Sequence, residues 1–378
     1  MIYLDYSATT PVNDDVLNTF VNVNKEFIGN PNSLHKLGLR AKELIDASSR
    51  QIADVLKLKD KEIIYTSGAS EANNLAIKGV CLKYKNRGNH IITTKLEHSS
   101  VIEPIKYLES IGFTVDYVKL DSNGLVDLVD LENLINDNTI LVSISSINSE
   151  VGIRQPISKI KEIVKKYPKA YFHSDMTQSI GKEVIDTEDI DLVSLSSQKF
   201  FGLKGVGCLI KNKNLIIEPL IHGGKSTTVF RSGTPSPGLI ASTAKALRLV
   251  YENFDEKRKR VLELNEYLVS ELEKLDIYIN SNSNSYSIPN IINISLKGIK
   301  SETMLHALEE EDIYISTRTA CSNGGISDSV YAVTNDRERS LYSLRISISY
   351  LTTKEELDTF ISVFKEKLCE LSKLSSKK

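Results

Sequence analysis

The sequence predicts an α/β fold, in which a large domain is built on a mostly parallel, seven-stranded sheet and a smaller α+β domain follows. Alternating strands and helices are typical of a parallel sheet covered by helices, and the pattern changes after residue 238. Helical periodicity occupies several gaps between short apolar runs, at residues 71–84, 101–111 and 157–166. The seven apolar runs of strand length cover residues 62–65, 90–93, 114–118, 140–144, 170–173, 192–195 and 206–210.

The remaining elements flank this alternating region. Residues 37–56 are predicted to form an amphipathic helix, because their apolar side chains fall on one face. Residues 239–275 form one long helical pattern, and residues 281–285 a polar surface loop. We expect a large domain over residues 15–250 and a small domain that combines residues 1–14 with 251–378. The small domain closes with a strand, a helix, a strand, a loop, a strand and a helix, in which the regular segments are residues 291–296, 302–310, 313–316, 343–349 and 354–371.

Composition favours an ordinary globular enzyme. Of the 378 residues, 41% are hydrophobic and 25% charged, and the formal net charge of −2 gives no electrostatic reason to expect direct nucleic-acid binding. No apolar run approaches the roughly 20 residues of a membrane span, and the N-terminus lacks the pattern of a signal peptide. The four cysteines are scattered without metal-ligand or disulfide spacing, so we expect no metal site and a cytoplasmic location.

A lysine and an aspartate predict the chemistry. Lys199 lies between a strand-like run and a glycine-punctuated loop, and Asp175 follows the preceding strand-like run. Pyridoxal phosphate needs such a pair, an amine for its aldehyde and an anion that keeps its ring nitrogen protonated. An isolated aspartate after a strand is more often a helix cap, so the prediction depends on the two residues together.

Three other polar segments follow predicted strands. The segment Ser67-Gly68-Ala69-Ser70 opens a helix and suits phosphate binding by free backbone N–H groups, although helix capping is the more common role of such a segment taken alone. His98 begins a helix and could stack on a cofactor ring or serve as a cap. Asn148 and Gln178 could each hydrogen-bond a phenolic oxygen of a cofactor. The alternative for Asn148 is a simple turn, in which asparagine is common.

Three further segments point to substrate and sulfur chemistry. Arg345 interrupts an apolar strand, where its guanidinium could bind a carboxylate or form a structural ion pair. Cys321 lies in a loop of Ser, Asn and Gly residues, which suits a nucleophile that must move. Residues 222–235 form a glycine-rich loop that could reach a partner subunit.

These residues and motifs resemble a cysteine desulfurase of the NifS/IscS kind, in the class-V branch of the fold-type I pyridoxal-phosphate enzymes. The resemblance extends over nearly the whole chain and includes four motifs, at residues 3–11, 29–35, 66–74 and 231–234. It implies that the enzyme is a homodimer in which Cys321 of the small domain becomes a persulfide. L-cysteine would yield L-alanine, and the sulfur would pass to an acceptor protein such as an iron–sulfur scaffold or a tRNA-thiolation enzyme.

The resemblance also implies individual roles. Lys199 is the Schiff-base lysine, Asp175 the pyridinium partner and His98 the ring-stacking catalytic histidine. Gln178 and Asn148 contact the phenolic oxygen. The substrate is bound by Arg345 and Asn30, and Cys321 is the nucleophile. The phosphate ligands implied by the resemblance, the last from the neighbouring subunit, are Gly68, Ala69, Ser70, Ser196, Gln198 and Thr234.

Two departures from the family pattern motivate one of three alternative functions, a non-catalytic subunit. Gln198 stands where the family has a histidine, and Met176 replaces a small residue beside the ring. A selenocysteine lyase and a class-V aminotransferase are the alternatives on the same fold. A non-catalytic sulfur-carrier or scaffold subunit is the alternative from a different class.

Overall fold

The computed structural model describes residues 1–281, 285–317 and 325–375. The strands are β1 Ile2–Tyr3, β2 Lys61–Thr66, β3 His90–Thr93, β4 Thr114–Tyr117, β5 Thr139–Ser143, β6 Tyr171–Asp175, β7 Leu192–Ser196, β8 Gly207–Asn212, β9 Ile277–Ile279, β10 Ile291–Leu296, β11 Ile313–Tyr314 and β12 Ser343–Ser347. The helices are α1 Asp14–Glu26, α2 Lys36–Val55, α3 Ala69–Tyr84, α4 Ser99–Ser110, α5 Leu128–Leu134, α6 Ile157–Val164, α7 Pro237–Tyr251, α8 Phe254–Leu272, α9 Ser301–Glu309, α10 Asp328–Thr334, α11 Arg337–Leu341 and α12 Lys354–Ser375.

A seven-stranded sheet in the order β2-β8-β7-β6-β5-β3-β4 confirms the predicted α/β fold. Strand β8 runs in the opposite direction to the other six strands of this sheet, since it pairs antiparallel with both β2 and β7. The interior strands β5, β6 and β7 are buried along almost their whole length because helices cover both faces. The carboxyl ends of β5, β6 and β7 therefore meet at one edge, where ligands bind in open α/β sheets.

Two core layers sandwich this sheet. Neighbouring residues of one strand take opposite sides: Leu141 packs with α3 and α4, whereas Val142 packs with α2, α6 and α7. The same alternation separates Leu192 from Val193. Helix α3 is buried around most of its circumference. Its N-terminus is consequently held at the edge where the strands end.

Residues near the two ends of the chain form a second core. Strand β1 pairs in parallel with β11, and Leu4 packs among the apolar residues of β10, β12, α8, α9 and α12. Strands β12, β10 and β9 form an antiparallel sheet. The N-terminal segment thus connects the second core to the main sheet, while the domain boundaries given above stay a prediction.

Two predicted segments are wrong. The helical pattern at residues 239–275 is two helices, α7 and α8, because Glu252 is extended and Asn253 adopts a left-handed conformation with φ of +50°. Asparagine tolerates that conformation better than most residues, and the periodicity on either side of the break conceals it. The predicted loop between residues 316 and 343 contains α10 and α11 in its described part. Among the described helices, none is long and apolar enough to cross a membrane.

Candidate active site

A cavity of about 370 Å³ lies at the carboxyl edge of the main sheet. Its walls come from the turns after β2, β3, β5, β6 and β7, from the N-terminal segment and from β12. Lys199, Asp175, His98, Gln178 and Arg345 all line it. The topology therefore brings together five predicted residues that are up to 247 positions apart in the sequence.

Lys199 ends a short 3₁₀ turn that follows β7. Its Nζ donates to the carbonyl oxygens of Ser7, at 2.8 Å, and Ala8, at 2.5 Å. The N-terminal segment is fastened to the same turn, because the Thr10 hydroxyl donates to the Gln198 carbonyl at 3.0 Å. Backbone carbonyls of the N-terminal segment thus hold the amine at the wall of the cavity.

Asp175 is the last residue of β6 and is buried. Its Oδ1 accepts from the Thr177 backbone N–H at 2.9 Å, and its Oδ2 accepts from Asn73 Nδ2 at 2.8 Å. The same Asn73 Nδ2 donates to Ser100 Oγ at 2.9 Å. The carboxylate is therefore oriented from two sides, as a partner for a ring nitrogen requires.

His98 both caps α4 and lines the cavity, the two roles that the sequence suggested. Its Nδ1 accepts the Ser100 backbone N–H at 3.1 Å and caps α4, so the neutral ring carries its proton on Nε2. Burial lowers the pKa of His98, with the charges of Lys199 and Arg345 acting in the same direction and Asp175 opposing them. The imidazole is consequently neutral at pH 7.

The N-terminus of α3 forms a corner of the cavity that suits an anion. Gly68 precedes the helix with φ of +152° and makes no side-chain cap, which leaves the first backbone N–H groups of the helix directed at the cavity. A Cβ on Gly68 would lie 3.7 Å from Ser196 Oγ, so a serine hydroxyl faces the same corner. Ala69, Ser70 and Gln198 also line the cavity.

Glu71 would oppose an anion at this corner, but it is neutralised. Its Oε1 accepts from Arg231 Nε at 2.9 Å, and its Oε2 accepts the Ser67 backbone N–H at 2.7 Å. These hydrogen bonds lower the pKa of Glu71 against the effect of its burial. Thr234 is exposed and lines a smaller cavity of about 200 Å³ that also touches Ser67.

Gln178 and Asn148 differ in how their amides are used. Gln178 Nε2 donates to the Ser7 carbonyl at 3.0 Å, beside Lys199. Asn148 Nδ2 donates to the Leu96 carbonyl and to Ser329, and its Oδ1 accepts two backbone N–H groups of its own turn. Asn148 thus supports a turn next to the cavity, and its contact with a phenolic oxygen stays a prediction.

Arg345 lies on β12 with its side chain only 4% exposed. Its Nη2 donates to Asp5 Oδ1 at 2.8 Å and its Nη1 to the Ser149 carbonyl at 3.1 Å, whereas its buried Nε has no partner among the described residues. A donor without an acceptor suits a ligand carboxylate. Asn30 is exposed outside the cavity wall, where its Oδ1 accepts the Asn32 N–H, and Cys321 lies outside the described residues.

Sequence reasoning missed three supporting residues. Asn73 orients Asp175, but within the helical pattern it gave no sign of facing inward. Glu97 is held by the Ser145 hydroxyl and backbone N–H, and burial raises its pKa to about 7. Lys182 contacts Gln178, and the spacing of four residues was the available signal. The structure describes no group of three His, Cys, Asp or Glu residues placed to hold a metal ion.

Known proteins resemble the chain over nearly its whole length. A profile of the aminotransferase class-V family matches residues 2–360. Cysteine desulfurase IscS of Dictyoglomus turgidum is 37% identical over 380 residues, which cover 99% of this chain and 96% of that protein. A solved structure of a NifS-like protein has a TM-score of 0.92 at 37% identity and covers 98% of this chain and 100% of its own. A solved structure of SspA in complex with cysteine has a TM-score of 0.80 at 31% identity and covers 93% of this chain and 100% of its own.

Proposed function

Since the chain belongs to the aminotransferase class-V family, we propose that it is a pyridoxal-phosphate-dependent cysteine desulfurase. The observation that carries the proposal is the convergence of Lys199, Asp175, His98 and Arg345 on one cavity. This set combines a covalent anchor, an anion for a ring nitrogen, a neutral imidazole and a carboxylate-binding guanidinium. The similarity to Cysteine desulfurase IscS supports cysteine as the substrate.

The residues present fit pyridoxal phosphate. Lys199 would hold the aldehyde and Asp175 the ring nitrogen, while the N-terminus of α3 and Ser196 would hold the phosphate. The glycine at position 68 matters for this fit, because a Cβ there would occupy the corner below Ser196 Oγ. Gln198 lines the cavity with a neutral amide, which can donate to a phosphate without adding charge.

Arg345 and His98 prepare the substrate. The unpartnered Nε of Arg345 would bind the carboxylate of L-cysteine and set the position of its α-carbon. Bound pyridoxal phosphate supplies an electron sink for the bond broken at that carbon. Lys199 Nζ would also serve as the general base for the α-proton of the substrate. His98, whose Nδ1 caps α4, would act on the substrate thiol through its Nε2–H, as a hydrogen-bond donor to the sulfur.

We assign sulfur abstraction to Cys321. Its thiolate attacks the substrate sulfur, so that an S–S bond forms, the carbon–sulfur bond breaks and the carbon skeleton gains a proton to become L-alanine. L-cysteine and the Cys321 thiol thus become L-alanine and a Cys321 persulfide, with no external oxidant or reductant. Cys81 and Cys208 cannot replace it, because both are buried in the core and burial raises the pKa of each thiol.

The activity is tested by incubating the protein with pyridoxal phosphate, L-cysteine and a reductant, and by measuring alanine and sulfide. We expect equal amounts of both, and we expect Cys321→Ala to lose at least about 100-fold in rate. Cys369→Ala is the matched control, since Cys369 is an exposed cysteine on α12 and should retain full activity. Wild-type sulfide release by Cys321→Ala would refute the persulfide role, and amino-group transfer to an added keto acid would favour an aminotransferase.

We also propose a cytoplasmic homodimer in which Thr234 of one subunit contacts the phosphate in the other, and which passes sulfur to an acceptor protein such as an iron–sulfur scaffold or a tRNA-thiolation enzyme. The exposure of Thr234 supports this arrangement. Mixing Thr234→Ala subunits with inactive Lys199→Ala subunits should restore activity, because one hybrid site then has both native residues. Absence of restoration in a confirmed mixed dimer would refute the shared site.

A further inference from the structure

A second lysine approaches the active site from behind Gln178. The Lys182 Nζ donates to Gln178 Oε1 at 2.7 Å. The other end of the same amide donates from Nε2 to the Ser7 carbonyl at 3.0 Å. Because this carbonyl also accepts from Lys199 Nζ at 2.8 Å, Gln178 connects Lys182 to the lysine on which the proposed chemistry depends.

The chemistry of its two partners determines the orientation of the Gln178 amide. An ammonium group has three donors and no acceptor, and a backbone carbonyl only accepts. With Oε1 toward Lys182 and Nε2 toward Ser7, both contacts are hydrogen bonds. The reversed amide would place NH₂ against an ammonium and oxygen against a carbonyl, and both contacts would be repulsive.

The turn that carries Lys182 is rigid. Gly181 has φ of +76°, and a Cβ there would lie 2.8 Å from Val250 Cγ2. The Gly181 N–H donates to the Tyr251 hydroxyl at 3.2 Å, and the Lys182 N–H donates to the Ser179 carbonyl at 3.0 Å. The lysine is consequently presented to Gln178 by a backbone that is locked onto α7.

Lys182 is enclosed without an anionic partner among the described residues. Burial, and to a smaller extent the positive charges of Lys199 and Arg345, lower the pKa of the Lys182 ammonium to about 7. The adjacent carboxylate, Glu183, does not offset this, because it pairs with Arg154 at 2.7 Å and Arg258 at 3.1 Å. Enclosed cations without a carboxylate partner are unfavourable and cluster at functional sites.

We propose that Lys182 is a positioning residue, which holds the Gln178 amide with its NH₂ side toward the phenolic oxygen of pyridoxal phosphate. The inference rests on the proposed function, because it concerns the cofactor bound at Lys199. In pyridoxal phosphate the phenolic oxygen and the aldehyde occupy neighbouring ring carbons. A donor that shares the Ser7 carbonyl with Lys199 is therefore adjacent to that oxygen when the aldehyde is at Lys199.

The test measures the pH midpoint of the colour change of bound pyridoxal phosphate. A donor to the phenolic oxygen favours the deprotonated chromophore, so its loss raises the midpoint. We expect an increase of about one pH unit in Lys182→Met and in Gln178→Ala, since one hydrogen bond of this kind is worth about one pKa unit. Because Lys182 acts through Gln178, the double variant should match Gln178→Ala within about 0.3 units.

The matched control is Lys161→Met, which removes a lysine that pairs with Asp186 on another face and should leave the midpoint unchanged. A wild-type midpoint in Lys182→Met, or fully additive shifts in the double variant, would overturn the positioning role and leave the proposed function intact. If Lys182→Met does not fold, Lys182→Arg replaces it. This variant keeps the hydrogen-bond donors and should retain the wild-type midpoint. A shift of the midpoint equal to that of Gln178→Ala would overturn the inference. A wild-type protein that gains no colour with pyridoxal phosphate contradicts the proposed function itself.

Discussion

Gly207 affects both the stability of the main sheet and the geometry of the proposed cofactor site. It begins β8 and pairs with Thr66 of β2 on one side and with Ser196 of β7 on the other. A Cβ at this position would lie 2.5 Å from the Leu195 carbonyl oxygen and 2.7 Å from the Cα and carbonyl carbon of Gly68. The substitution Gly207→Ala therefore pushes directly on the residue that caps α3.

The magnitude follows from these contacts. All three neighbouring atoms belong to the backbone, so no side chain can rotate away, and ordinary contact at 3.4 Å requires Gly68 to move by about 0.7 Å. Overpacking of this kind costs about 1–3 kcal/mol. If the movement removes one charge-assisted hydrogen bond to the phosphate, the binding free energy falls by about 1.5–3 kcal/mol. This loss corresponds to a weakening of the cofactor Kd by about 10- to 100-fold.

The assays are urea unfolding of the cofactor-free protein and titration with pyridoxal phosphate. Gly224→Ala is the matched control, because a Cβ at Gly224 meets no atom within 4 Å, and it should behave as wild type in both assays. The reasoning is refuted if Gly207→Ala unfolds within about 0.5 kcal/mol of wild type and binds the cofactor within about twofold of the wild-type Kd.

Two further predictions concern buried ionisable side chains. Asp5→Asn should destabilise the protein by about 3 kcal/mol in urea unfolding, because it leaves the Arg345 guanidinium buried without its anion; a loss below about 0.5 kcal/mol contradicts this. Burial lowers the pKa of His173 to about 4, so the unfolded chain takes up its proton first as pH falls below about 6.5. The free energy of unfolding should therefore decrease by about 3 kcal/mol between pH 6.5 and 4 on account of this group, and His173→Asn should remove that part of the slope. An unchanged slope in the variant contradicts the assignment.

Local signals predicted most of the fold. The run at residues 90–93 coincides with β3, and those at 192–195 and 206–210 differ from β7 and β8 by two residues or fewer at either end. Strands buried on both faces are rich in consecutive apolar residues, so their positions are visible in one sequence. The break at Asn253 was not visible, because a single left-handed residue changes the direction of the chain without altering the periodicity beside it.

The sequence by itself predicted the kind of chemistry that we propose. Lys199 and Asp175 each follow a strand-like run, and parallel strands place the residues after them at one edge. Only the tertiary structure decided what orients those side chains, because the partners come from distant segments. Lys199 meets Ser7 across 192 positions, and Asp175 meets Asn73 across 102. Hydrogen bonds act over about 3 Å, and one sequence carries no record of which remote groups fold to within that distance.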